Sequence, residues 1–345
     1  MNRAVGIGSR AGLLTVLAIE AIALLGLASL RFDYRDPGVI GRFTSGVRAL
    51  PGGHGLDVEG YVRLTEYFRG TAPADSMMPP YCYRPLAPLA ASLLPVRALT
   101  ALNLVNLIAL LGAFIAVVRT LLRMGLGAGA VAAGGAIFAV SFPTFYYATI
   151  GFVDPVAVFA VALLVEAMAA DRPLWWIAVV AALGSLVKET NAAFSILPFV
   201  RAYAGGVRAT APLTRRAALP LLCVGLVILV RVTAPFPGRD SFWAPSAAAI
   251  VENLTRPRTY LSLGLTVGLP FVLAALGLAS REARARLGAP DRAMLVAGSL
   301  VALGLYLYSV CSAYTDGRII WAIYPFTAPL AAAWIDARLG RPGGR

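Results

Sequence analysis

Asp57, Glu59, Tyr83-Arg84, Asp154, Lys188-Glu189 and Asp316-Gly317-Arg318 are the groups in this chain whose types suit them to chemistry, and each borders a long apolar stretch. A carboxylate held there can take a proton from a hydroxyl as a general base, and Asp57 is the candidate. Arginine forks and a lysine point charge suit a phosphate, which makes Arg84 and Lys188 candidate anion ligands. Each group also has a plainer use. Asp57 and Asp154 can cap the helices that begin beside them. Lys188 can pair with Glu189, Asp316 with Arg318 across a polar hairpin, and Tyr83-Arg84 can anchor the chain at a membrane interface. A spacing of two keeps Asp57 and Glu59 off a common helix face, so they are not a matched acid–base pair.

The sequence excludes several chemistries. His54, in a Gly-rich stretch, is the only histidine, which removes two-histidine metal motifs such as HExxH. Cys82, Cys223 and Cys311 are scattered with no CxxC spacing, so neither a disulfide framework nor a zinc site is expected. The net charge of +13 does not point to nucleic acid, because the arginines punctuate apolar runs instead of forming one basic domain.

The elements that must position these groups are membrane helices. Mean hydropathy is +0.76 and 59% of the residues are hydrophobic, with only 14% charged, against about 25% charged in soluble domains. Period-two alternation is absent, so the expected fold class is all-α, a polytopic membrane protein and a single transmembrane domain over 1–345. Apolar runs at 11–30, 98–118, 126–142, 153–170, 173–187, 190–203, 216–234, 260–279, 293–312 and 319–336 predict about ten crossings, each needing about twenty helical residues. The first run is expected to be a retained helix and not a cleaved signal. Arginines at 3/10, 119/123, 172, 201/208/215/216, 281/284/286/292 and 338/341/345 occupy every second connection. They put both termini in the cytoplasm and the candidate groups on the outer face of a plasma membrane.

Residues 31–97 form the long outer loop. Its first part, around Pro51–Gly55, reads as irregular chain. From Asp57 to Phe68 the pattern predicts an amphipathic helix, with Tyr61, Leu64, Tyr67 and Phe68 on one side and Arg63 and Glu66 near the other. Beyond Pro79-Pro80, the segment 81–95 is too short to span and predicts a re-entrant or interfacial helix, with Pro85 in its first turn. A second outer stretch, 235–258, carries Phe242, Trp243 and a short helix. Gly127-x-Gly129 and Gly264-x-x-x-Gly268 are expected to let helices pack closely. Arg231, near the outer end of its run, is expected to snorkel.

The stretch from Leu56-Asp57-Val-Glu-Gly-Tyr61 to Tyr83-Arg84-Pro-Leu-Ala-Pro88 resembles the first outer loop of bacterial type-C (GT-C) glycosyltransferases, polytopic enzymes that use a polyprenyl-phosphate-linked sugar. Gly151-Phe-Val-Asp154-Pro and Leu186-Val-Lys-Glu-Thr190 resemble that family's middle helices, with a weaker echo from Tyr314 to Pro325. Leu56 and Val58 depart from the family pattern, which has an aromatic residue and a glycine there. The resemblance implies that Asp57 is the catalytic base and that Glu59, Tyr61, Tyr83, Arg84, Asp154, Lys188, Glu189 and Arg318 bind substrate. It further implies a polyprenyl-phosphate-sugar donor, a glycan, lipid or protein acceptor, membrane lipids as surroundings and a bacterial inner membrane with the active face periplasmic. A divalent metal, magnesium or manganese, on Glu59 or Asp154 would be the one cofactor such relatives suggest. Two other classes fit the same residues: a lipid or solute transporter or flippase, and a GT-C-like scaffold without activity.

Overall fold

The computed structural model describes residues 10–32, 56–207, 210–236, 244–312 and 315–340, and they are helical with no strand. Pro51–Gly55, His54, Phe242, Trp243 and Tyr314 lie outside the described residues. The chain opens with α1 (Arg10–Ser29), then α2 (Leu56–Phe68) and the short α3 (Leu86–Ser92). Next come α4 (Ala98–Arg123), α5 (Ala128–Ala139), α6 (Phe142–Tyr146), α7 (Asp154–Ala169) and α8 (Leu174–Val187). A 3₁₀ stretch, Glu189–Ile196, leads into α9 (Leu197–Ala204), α10 (Thr210–Ala217) and α11 (Leu219–Thr233). The remainder is α12 (Ala247–Thr255), α13 (Pro257–Ala279), α14 (Arg281–Arg286), α15 (Ala289–Ser312) and α16 (Tyr324–Leu339).

Among the described residues, six helical segments are long and apolar enough to cross a membrane: Arg10–Ser29, Ala98–Arg123, Ala128–Tyr146, Pro212–Thr233, Thr259–Ala279 and Ala289–Ser312. Against the expected count of about ten, six of the described helices have the length and apolarity to cross. The other four runs do fold as helices, but α7 and α16 have 16 residues each and α8 has 14. The fourth, 190–203, is split between the 3₁₀ stretch and α9. Sequence explains the short starts: Pro155, Pro198 and Pro325 sit in first turns, where a missing N–H costs nothing.

The core is built where α4 runs along α7, α13 along α16 and α16 against α5. Phe194 stacks on Phe326 at 5.5 Å between ring centres, and Phe138 meets the Tyr324 edge at 6.3 Å. By contrast, Leu221, Leu222, Ile228 and Leu229 of α11 are exposed, as a lipid-facing helix requires. Not every small-residue pair serves packing. Gly264 and Gly268 have open space beside them, which corrects the close-packing expectation, and the backbone at Gly268 leaves helical geometry, kinking α13. Gly127 and Gly129 do allow close approach, since a Cβ at either would press on the Asp336 or Leu339 side chain of α16, and Gly127 donates its backbone N–H to Asp336 at 3.0 Å.

Candidate active site

One end of the bundle gathers the N-terminus of α7 and the C-termini of α8, α11 and α15, and α2 lies across it. These ends enclose a cavity of about 210 Å³ lined by charged groups from all five helices or the turns that follow them. Asp57, Tyr61, Arg84, Asp154, Lys188, Glu189 and Arg318, seven of the nine residues expected to form a site, line it. They arrive from segments far apart in the chain, so the convergence is a property of the fold.

The loop before α7 shows how one carboxylate is aimed. On α4, the Asn103 side chain accepts the Gly151 N–H at 2.8 Å and the Asn106 amide donates to the Phe152 carbonyl at 2.6 Å. Gly151 has φ +89°, and a Cβ there would strike Val58 and Leu99, so α2 closes directly over the loop only because the residue is glycine. Asp154 follows at the first turn of α7, where the helix dipole favours a carboxylate. The loop carrying Arg318 is pinned from another side. Gly317 N–H donates to Ser262 at 3.0 Å, Thr315 N–H to the Asn253 side chain at 3.0 Å, and the Asn253 amide donates to the Val310 carbonyl at 2.9 Å. Asn253, part of a formal glycosylation triplet, is buried.

Two ion-paired clusters result. In the first, Arg318 lies 2.8 Å from Asp57, 3.6 Å from Asp316 and 3.9 Å from Asp154, with its guanidinium over the Phe152 ring at 3.9 Å. Lys188 joins through Asp154 at 2.6 Å. In the second, Arg84 grips Glu189 with two bonds of 2.7 and 2.5 Å and donates to the Tyr61 hydroxyl at 2.5 Å. Lys188 and Glu189, adjacent in sequence, thus serve different partners. The local Asp316–Arg318 contact exists, reinforced by the Arg318 N–H donating to Asp316 at 2.9 Å.

Burial works against ionising Asp57, but Arg318, a hydrogen bond from Tyr81 and the nearby Arg84 outweigh it and hold the carboxyl below the usual aspartate range. Glu189 behaves alike: burial opposes its charge, and Arg84 prevails, drawing it down to about 2. Asp316 goes the other way. Burial pushes its carboxyl up, and Arg318 offsets this only in part.

Two expected residues do not line the cavity. Glu59 bonds Arg63 one turn along α2, at 2.9 Å, because a spacing of two from Asp57 turns it to another side. Tyr83 is buried near Phe236 and beneath the Arg231 guanidinium, at 6.5 and 5.5 Å respectively. Tyr81, which bonds Asp57, was passed over in the sequence reading, and Arg231, expected only to snorkel, lines the cavity. Tyr81 stands two residues before Tyr83 in the same motif. Arg231 ends an apolar run with no acid within two helical turns in sequence, which was the available signal. Its Nε is buried with no hydrogen-bond partner among the described residues, although it faces the cavity.

A divalent metal does not fit this donor set. Glu59 is taken by Arg63 and Asp154 by Lys188, the carboxylates of Asp57, Asp154 and Asp316 meet around the Arg318 guanidinium instead of an ion, and no group of three acidic, histidine or cysteine side chains is placed to hold a metal among the described residues. The fold and its polar end define an all-helical membrane protein with a charged cavity at one end. No protein-family model matches the chain, and no curated protein matches it.

Proposed function

We propose that this protein is a GT-C-like glycosyltransferase that moves a sugar from a polyprenyl-phosphate donor to an acceptor hydroxyl at the outer face of a bacterial inner membrane. One observation carries the reading: a single cavity joins Asp57 to four cations, Arg84, Lys188, Arg231 and Arg318, against three carboxylates, Asp57, Asp154 and Glu189. Arg231, the cavity cation with no carboxylate partner among the described residues, is the natural seat for the one negative charge of a phosphodiester. The small volume, under the about 300–1,000 Å³ usual for drug-sized ligands, suits a sugar-phosphate headgroup. Leu305 and the half-exposed Tyr308 on α15 offer an apolar flank along which an isoprenoid tail can leave for the bilayer.

The chemistry follows from that seating. The acceptor oxygen attacks the anomeric carbon, the bond from that carbon to the phosphate oxygen breaks, and the electron pair departs with polyprenyl phosphate. Asp57 takes the acceptor proton. Its ion pair with Arg318 keeps it ionised at neutral pH and makes it a modest base. That is sufficient for a hydroxyl whose proton becomes strongly acidic as its oxygen bonds to carbon. The leaving phosphate gains a second negative charge, and Arg231, Lys188 and Arg318 are already oriented where it develops, which is how preorganised charges lower a barrier.

The test is to incubate purified protein with a panel of polyprenyl-phosphate sugars and follow release of the lipid phosphate. Release with at least one donor, dependent on Asp57, is the expected result. Tight donor binding with no release in any acceptor mixture would favour a transporter or an inactive scaffold instead.

A further inference from the structure

The opposite end of the bundle holds a second cavity, about 570 Å³, that the proposed chemistry does not use. It opens between α4, α7 and α8. Gly112 and Ala116 of α4 form one wall, and Phe159 and Leu163 of α7 another. From Gly112 to Arg119 the helix rises about 10 Å, so the groove runs from a charged mouth into apolar depth.

The mouth is positively charged. Glu166, buried, accepts from Arg119 and Arg123 at 3.0 Å each, so one carboxylate answers two guanidinium groups. Arg119 remains 49% exposed at its side chain, and the exposed Arg172 has no carboxylate partner among the described residues. Beside them Trp175 and Trp176 form an edge-to-face pair at 5.8 Å, and Trp175 is 66% exposed. Exposed tryptophans with arginines at a helix end mark the headgroup layer of a bilayer.

We propose that this groove binds an anionic phospholipid of the leaflet at this end, with the phosphate between Arg119 and Arg172 and an acyl chain lying along α4 and α7. A zwitterionic lipid would bring its own cation to a mouth that already holds an excess of them. A basic recess between membrane helices combined with an apolar channel is the arrangement that selects acidic headgroups. The site stands independently of what happens at the far cavity.

The test reconstitutes the full chain in nanodiscs of neutral lipid carrying a minor fraction of either brominated phosphatidylglycerol or brominated phosphatidylcholine. The signal of interest is the tryptophan quenching lost in a Trp175→Phe/Trp176→Phe variant. Brominated phosphatidylglycerol should quench that pair at a lower mole fraction than the choline lipid. Arg172→Gln, which breaks no ion pair, should reduce the preference about fivefold, and adding Arg119→Gln should reduce it further. Excess inorganic phosphate at matched ionic strength should leave the preference intact. Equal quenching by the two lipids, an unchanged preference in Arg172→Gln, or loss of the preference to inorganic phosphate would each overturn the proposal.

Discussion

Asp57→Asn is the most informative single change, because it keeps side-chain shape while removing both the proposed base and one side of an ion pair. Arg318 would still have Asp316 at 3.6 Å and Asp154 at 3.9 Å, so the guanidinium is not stranded. The loss of one charge-assisted contact should therefore cost about 1–3 kcal/mol of stability, which leaves a membrane protein folded. General-base catalysis is worth about 10²–10⁴ in rate, equivalent to about 3–5 kcal/mol of barrier. Single-turnover release of polyprenyl phosphate should fall by that factor, with thermal unfolding in detergent run on the same sample. Glu59→Gln is the internal control: two residues away but bonded to Arg63, it should keep nearly the parent rate. A folded Asp57→Asn protein transferring sugar within a few-fold of the parent would refute the base assignment. A Glu59→Gln protein as slow as Asp57→Asn would show that the acidic start of α2, and not this carboxylate, matters.

Arg231→Gln should weaken apparent donor affinity by about ten- to a hundredfold in a donor titration, with the unfolding temperature almost unchanged, since it pairs with no carboxylate among the described residues. Glu189→Gln should destabilise the protein by about 3 kcal/mol in thermal unfolding, because it strands the buried Arg84. Since the folded-state Glu189 carboxyl is drawn down to about 2, its stabilising contribution is complete above the ordinary glutamate range near pH 4.5. It is lost as pH falls from there toward 2, so an acid scan should show this component in the parent and not in Glu189→Gln. Gly317→Ala should lower both stability, by about 1–3 kcal/mol, and transfer, because a Cβ there would collide with the Ser262 carbonyl and the Thr266 hydroxyl and displace the Arg318 loop. Gly304→Ala, with open space around it, should do neither.

Much of the architecture was legible because it depends on local pattern. The spacing of Tyr61, Leu64 and Phe68 marked α2, and Pro85 sits at the start of α3 where the turn before the helix demanded it. Apolar runs located the helices but not their ability to cross. Run length counts residues, whereas the 3₁₀ turns at Glu189–Ile196 and the proline starts decide how much of a run is continuous helix. At the site, sequence position showed which groups would face one end of the bundle and could not show whom they would meet. Lys188 beside Glu189 suggests a local pair, yet Lys188 reaches Asp154 and Glu189 reaches Arg84. Those distances are set by how α7, α8 and residues 56–97 pack, which no local spacing encodes. An arginine at a helix end such as Arg231 looks the same in sequence whether it snorkels to water or turns inward to a cavity.

The guanidinium that answers Asp57 and Asp154 comes from the connection between α15 and α16, far along the chain from both. Any intermediate that lacks it holds Asp57 and Asp154 at the lipid border with Lys188 and the more distant Arg84 to balance them. Docking of the α15–α16 connection therefore both closes the charged cavity and neutralises those carboxylates, which ties the packing of this helix pair to the electrostatics of α2 and α7.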